Sequence, residues 1–256
     1  MVSKFILLFS MLVVHTYAFS QNPSTIIIPG SKPDSTSTKE VEIIHADKLE
    51  FNTLANGEQL RKLVGSVALK HENTLMFCDS AYLYKETNKV DAWGHIHIQE
   101  NDSIHAYSDI LYYDGKTKNA ELIKNARLED GNKTLYSETL RYNIRDKIGS
   151  YNSGGKLVMD STVLTSKKAN YYTNTKIVHF KENVEITDPN YRLISDTLHY
   201  LTNTKVAKFF GPTTIYNDSS TIDCVLGSYD TEKEIASFGK GTVINNAPQQ
   251  LLADSL

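Results

Sequence analysis

From residue 41 onward, apolar and polar side chains alternate in short runs, and the runs return at a fixed interval. Leu49 and Phe51, Leu111 and Tyr113, and Leu198 and Tyr200 each lie two residues apart, the spacing of one strand face. Tyr84, Tyr113, Tyr142, Tyr171, Tyr200 and Tyr229 follow one another at steps of 29 residues. Polar turns such as "KETNK", "GKTK", "TNTK" and "DTEKE" separate the runs, and no long stretch keeps a helical apolar period. The pattern predicts an all-β chain of repeated units. Seven units open at "HADKLEF", "CDSAYLY", "YSDILYY", "YSETLRY", "SKKANYY", "ISDTLHY" and "CVLGSYD", and "LLADSL" starts an incomplete eighth.

Within a unit the buried parity changes. In "SIHAYSDILYY", Ile104 and Ala106 share one parity, whereas Asp109, Leu111 and Tyr113 share the other. A strand that switches faces at a small-acidic pair needs a corner or bulge there. A Gly or Asn later in the unit marks a second bend. Each unit therefore wraps once around a shared interior and successive units stack, which predicts an elongated, twisted β-jellyroll or bent-sheet solenoid.

The residues after the second bend define one apolar face: Val67, Leu69, Ile96, Ile98, Leu157, Met159, Val184, Ile186, Ile215 and Val243. Their neighbours His95, His97, Lys156, Glu185, Thr214 and Lys240 are mostly polar, so the apolar set is expected to point inward. With Leu49, Phe51, Leu111, Leu140 and Leu198 from the first strands, it forms a continuous apolar lining. Such a lining is either a closed core or, where the sheets splay, a groove for lipid, to which each buried methylene contributes about 0.8 kcal/mol.

Composition narrows the class. Lys4 followed by "FILLFSMLVV" and the small residues Ala18 and Ser20 reads as a signal peptide cut after Ser20, with no lipidation Cys at the junction. Residues 21–40 are rich in Pro, Gly, Ser and Thr and are expected to be a flexible leader, which leaves 41–256 as the repeat domain. A net charge of −3 from 27 basic and 30 acidic residues gives no nucleic-acid surface. The two cysteines, Cys78 and Cys224, sit five units apart. At ~4.8 Å per strand they stand well beyond the ~7 Å limit for a disulfide, so both are expected to be free.

The recurring unit, [A/S]-D-x-L-x-Y followed by Lys and then G-x-V-x-I, resembles the OstA-like, or LptA-like, family of lipopolysaccharide-transport proteins. "HADKLEF…VGSVAL", "YSDILYY…NARL" and "ISDTLHY…FGPTTI" carry the likeness. Glu138 and Lys167 depart from its Asp. The resemblance implies a periplasmic β-jellyroll that binds lipopolysaccharide, or its lipid A part, by the acyl chains and serves outer-membrane assembly. It also implies edge-strand addition to other bridge jellyrolls or, head to tail, to further copies. On that reading the lining residues above are the lipid-binding set. The rival reading is a closed-core β-solenoid adhesin or scaffold without a lipid ligand.

No catalytic chemistry is expected. Asp47, Asp79, Asp109 and Asp196 recur at one corner position, which suits a structural carboxylate better than a glycosidase pair. His95 and His97 lack a third metal ligand nearby in sequence. No phosphate-binding Gly loop or nucleophile elbow occurs, and no cofactor is implied.

Overall fold

The structure is a computed structural model that describes residues 39–233, 235–246 and 249–253. The expected signal peptide and nearly all of the expected leader lie outside the described residues. The chain forms one sheet of 19 strands with antiparallel pairings. They are β1 (Glu42–His45), β2 (Lys48–Thr53), β3 (Gln59–His71), β4 (Thr74–Tyr84), β5 (Lys89–Glu100), β6 (Ile104–Asp114), β7 (Asn119–Asp130), β8 (Lys133–Asn143), β9 (Ile148–Tyr151) and β10 (Gly155–Met159). There follow β11 (Thr162–Ser166), β12 (Lys168–Tyr172), β13 (Ile177–Thr187), β14 (Arg192–Leu201), β15 (Val206–Tyr216), β16 (Thr221–Asp230), β17 (Ile235–Phe238), β18 (Thr242–Asn246) and β19 (Gln249–Ala253).

The long strands bend where parity requires it. Register shifts fall between Phe77 and Ser80, Tyr107 and Ile110, and Ser195 and Leu198, each spanning the small-acidic pair. Partner strands bend at Gly65–Ser66, Gly94–His95, Lys124–Asn125 and Glu182–Asn183, where both residues of each pair take positive φ. Glycine is needed at 94: φ is +78° and a Cβ would lie 2.2 Å from Asp79 Oδ2. The next residue completes the corner from its side chain. His95 Nδ1 lies 2.8 Å from Asp79 Oδ2, and Asn125 Nδ2 donates to Asp109 Oδ2 at 2.9 Å. The Asp79 and Asp109 carboxylates thus bind side chains of the partner strand.

Each bend divides a strand into two halves, and the halves fold face to face. The close approach at Gly149 shows it: a Cβ there would stand 2.6 Å from Leu128 Cδ2 on the opposite half. In the middle of the array the bends become breaks, so β8 pairs with both β9 and β10, and β13 with both β11 and β12.

Two rows of turns result. One row (residues 85–88, 115–118, 144–147, 173–176, 202–205 and 231–233) follows the repeated tyrosines and is here the tyrosine rim. The other (72–73, 101–103, 131–132, 160–161, 188–191 and 217–220) is the acidic rim. Between the halves lies one apolar cluster reaching from Val41 to Phe238.

Candidate functional site

Twelve of the fifteen expected lining residues lie in this interior. Val67, Leu69, Ile96, Ile98, Leu111, Leu140, Leu157, Met159, Val184, Ile186, Leu198 and Ile215 are all buried in the one cluster. The other three need correction. Leu49 and Phe51 are 41% and 71% exposed. Leu49 pairs with the buried Leu63 and so keeps the inward parity, but β2 is a terminal strand and no described residue folds over it. Val243 pairs with Asp223, which pairs with Thr214 of the polar set, so it faces outward. Ile244, opposite Ile222 and hence in line with Ile215, takes the inward place. The two bends are equally long, because Phe238 and Val243 oppose the same Gly227 and Asp223 as Phe209 and Thr214; Lys240, not Gly241, stands in the place of Gly211, and that offset of one residue reverses the face.

The tyrosines do something the spacing alone did not reveal. Tyr113, Tyr142, Tyr171 and Tyr200 are fully buried, but they lie on every second full-length strand and do not stack on one another. Three of them reach across to the acidic rim. Tyr113 Oη lies 2.6 Å from His71 Nδ1, Tyr142 Oη donates to Glu100 Oε2 at 2.5 Å, and Tyr171 Oη donates to Asp130 Oδ2. A lysine from the turn after each tyrosine completes the contact. Lys118 pairs with Glu72, Lys147 with Glu100, and Lys176 Nζ with Asp130 Oδ2 at 2.6 Å. Lys118, Lys147 and Lys176 each hold a positive φ that closes their turn, so the same residue ends the hairpin and staples the rims.

These clamps form a polar seam along the side of the roll where the rims meet. The Glu100 and Asp130 side chains are each 6% exposed, so both carboxylates depend on their tyrosine and lysine partners. Burial pushes the Tyr142 phenol up to about 12 and holds Tyr171 well above the usual phenol value, the latter aided by Asp130. Both hydroxyls therefore remain donors across the physiological range. Desolvation lowers the Lys147 ammonium.

The seam weakens toward the C-terminal end. Where Glu100 and Asp130 stand in earlier units, the fourth unit has the apolar Met159, and the Tyr200 hydroxyl turns to Thr231 Oγ1 at 3.3 Å. Lys205 keeps a 3.7 Å contact with Asp160, both side chains largely exposed. One unit further on, Asp188 accepts from Thr162 and from the Asn190 N–H, and among the described residues it has no ion pair. At this end the rims part around a cavity of ≈ 360 Å³ whose walls include Tyr191, Ile215, Ile222 and Phe238.

The clamps had a readable signal, since an acid closes the alternating runs "HIQE" and "RLED". It pairs with a tyrosine 41 or 42 residues later, a separation no local pattern announces. Elsewhere the chemistry is sparse. His97 stacks on Tyr107 at 4.6 Å, and its Nε2 lies 3.0 Å from His105 Nδ1. Among the described residues no three His, Cys, Asp or Glu side chains cluster to hold a metal. Cys78 and Cys224 are buried and unlinked.

A search of curated proteins gave no match. Among solved structures the chain is similar to the crystal structure of LptH, the LptA-homologous periplasmic component of the lipopolysaccharide transport device of Pseudomonas aeruginosa. The two share 18% identity over 41% of this chain and 76% of that one, at a TM-score of 0.36. The profile of the family described as OstA-like protein matches residues 38–196 and 169–254. With these overlapping matches covering nearly the whole described chain, the protein belongs to the OstA-like family.

Proposed function

We propose that this protein is a periplasmic carrier and bridge for lipopolysaccharide, taking acyl chains into its interior when the two rims separate. The observation that carries this reading is the interior itself. It is apolar along the whole array and closed on one side by polar clamps between turns. Acyl chains entering there exchange one apolar contact for another, so the clamps and water exclusion decide the balance. Each clamp hydrogen bond is worth about 1–3 kcal/mol when it involves a charged group. Burying ten methylenes of one acyl chain contributes about 8 kcal/mol relative to water, which is comparable with two clamps of two bonds each.

The ends suit assembly. Among the described residues, β1 and β2 pair only with β3 at one end, while β17 pairs only with β16 and β19 only with β18 at the other. Ile44 and Phe51 are exposed beside the first edge, and Ile235 and Leu252 beside the second. Unlike edges of this kind join head to tail. Export through the N-terminal segment would place the assembly in the periplasm.

A photo-crosslinking side chain at Ile98 or Ile186, in protein purified from a lipopolysaccharide-bearing host, tests the reading. Labelling of lipopolysaccharide is expected at those two positions and not at the outward-facing His97 or Glu185. The full burial of the interior also fits a closed-core scaffold. Ligand-free protein with no labelling at any of the four positions would establish that reading instead.

A further inference from the structure

At the N-terminal end the seam is closed by a different device. In the row of buried tyrosines Leu83 precedes Tyr113 and Tyr142, so the first unit forms no tyrosine clamp. Asn88 closes its turn with the positive φ that Lys118 and Lys147 hold in theirs, but it grips a main chain instead of an acid. The chain just before β1 passes between the rims there. The Lys39 carbonyl accepts from Asn88 Nδ2 at 3.2 Å and lies 2.9 Å from His71 Nε2. A carbonyl only accepts, so Nε2 is the donor and Nδ1 is left for the Tyr113 hydroxyl at 2.6 Å. The Val41 N–H donates to Asn88 Oδ1 at 2.8 Å, and Glu40 pairs with Lys85 of the same turn. The Val41 side chain is buried in the apolar cluster. Asn88 on the tyrosine rim and His71 beside the acidic rim thus hold one strap, residues 39–41, and are joined through it.

We propose that residues 39–41 are a latch on the interior: closed, they tie the two rims across its N-terminal end, and lifted, they free that end for acyl chains to pass. The inference rests on the lipid-carrier reading and gives the interior two unlike ends. At the C-terminal end the rims already part around a cavity, whereas at the N-terminal end a strap has to leave first. The strap is lightly held, by three side-chain hydrogen bonds, an exposed ion pair and one valine. It runs into β1, four residues long and paired, among the described residues, only with β3. A segment with so few buried contacts opens locally while the rest of the sheet stays folded. Lifting it withdraws Val41 from the apolar cluster and uncovers surface that a hydrocarbon can cover. Leu49 and Phe51 continue the inward face on β2, where no described residue covers them, so a chain passing this end meets apolar side chains on both sides of the strap.

Hydrogen exchange of the full chain and the rate at which added lipopolysaccharide labels a photo-crosslinking side chain at Ile98 test the latch together. The Val41 amide is expected to be at least about tenfold less protected than the amides of Ala81 and Leu83 in the core. Asn88→Gly keeps the positive φ of the turn and removes both grips on the strap. It is expected to speed labelling at Ile98 about tenfold, the change that two lost hydrogen bonds produce. For the converse, Glu40→Cys and Lys85→Cys are joined by a short bismaleimide in a chain whose buried Cys78 and Cys224 are replaced by alanine. Joining them is expected to slow labelling at Ile98 and leave labelling at Ile186 unchanged, while the unjoined double variant labels Ile98 at least as fast as its parent. Exchange of Val41 only through global unfolding would overturn the proposal. So would equal labelling of Ile98 in the joined and unjoined protein, or no effect of Asn88→Gly. If Ile186 is still labelled in any of these cases, only the latch falls. If neither Ile98 nor Ile186 is labelled in any variant, the carrier reading falls and takes the latch with it.

Discussion

Removing the Glu100 carboxylate separates the seam from the apolar core beneath it. Glu100 accepts from Tyr142 and pairs with Lys147, whose side chain is 28% exposed. In Glu100→Gln the amide oxygen still accepts from Tyr142, and Lys147 extends toward water, so the loss is about 1–2 kcal/mol. In Glu100→Ala the Tyr142 hydroxyl is also orphaned, which adds about 1–3 kcal/mol for a buried unsatisfied donor. Tyr142→Phe alone removes one charge-assisted hydrogen bond and costs about 1.5–3 kcal/mol. The urea midpoints of the two single variants and the double variant give a coupling energy for the pair, expected at about 1–2 kcal/mol. Hydrogen exchange is expected to quicken in the turns 101–103 and 144–147 and to hold steady at Leu122 and Leu135, which lie deep in the core. A coupling within about 0.3 kcal/mol of zero would refute the seam as a structural bond between the rims.

Tyr191→Phe is expected to act in the opposite sense on the ligand-free protein, raising stability by about 1–3 kcal/mol because it removes an unpaired buried hydroxyl. The same urea series reads it. Gly94→Ala is expected to cost more than the ~1–2 kcal/mol of a left-handed L-residue, because its Cβ would strike Asp79 at 2.2 Å. Gly57→Ala, at φ +86° with open space around it, is expected to lose only the backbone cost, which calorimetric melting can compare. Alkali is expected to loosen the interior. Tyr142 and Tyr151 have folded-state values raised to about 12 from an ordinary 10, so their contribution is complete below pH 10 and is lost as pH climbs toward 12. Each forfeits about 1.4 kcal/mol per pH unit in that window, and phenolate absorbance followed with circular dichroism should rise together with unfolding.

The sequence displayed the parts of this fold that depend on neighbours along the chain or across one hairpin. Strand parity, the corner at Asp109 and the inward set from Val67 to Ile215 all follow from period and turn chemistry, and the structure places them accordingly. Contacts across the folded sheet were not legible. Tyr142 reads as one of a regular series of tyrosines, and nothing near it in the chain points to Glu100, with two full-length strands between them. The misplacements have local causes. Leu49 and Phe51 have the right parity on a strand that no described residue covers, and Val243 lies two residues from Gly241 whereas the place of Gly211 falls to Lys240. Tyr191 was invisible because its distinguishing property is a missing partner.

The clamps also matter under load. A protein joined to neighbours at both ends would be pulled along the stack, across its strands, a direction in which hairpins peel apart one hydrogen bond at a time. Each clamp instead ties a strand to one beyond its two intervening neighbours, as Tyr142 of β8 does with Glu100 of β5. Tension at the clamped end is therefore shared among four strands at once. The C-terminal units, which among the described residues keep only the exposed Lys205–Asp160 contact, would be the first to yield.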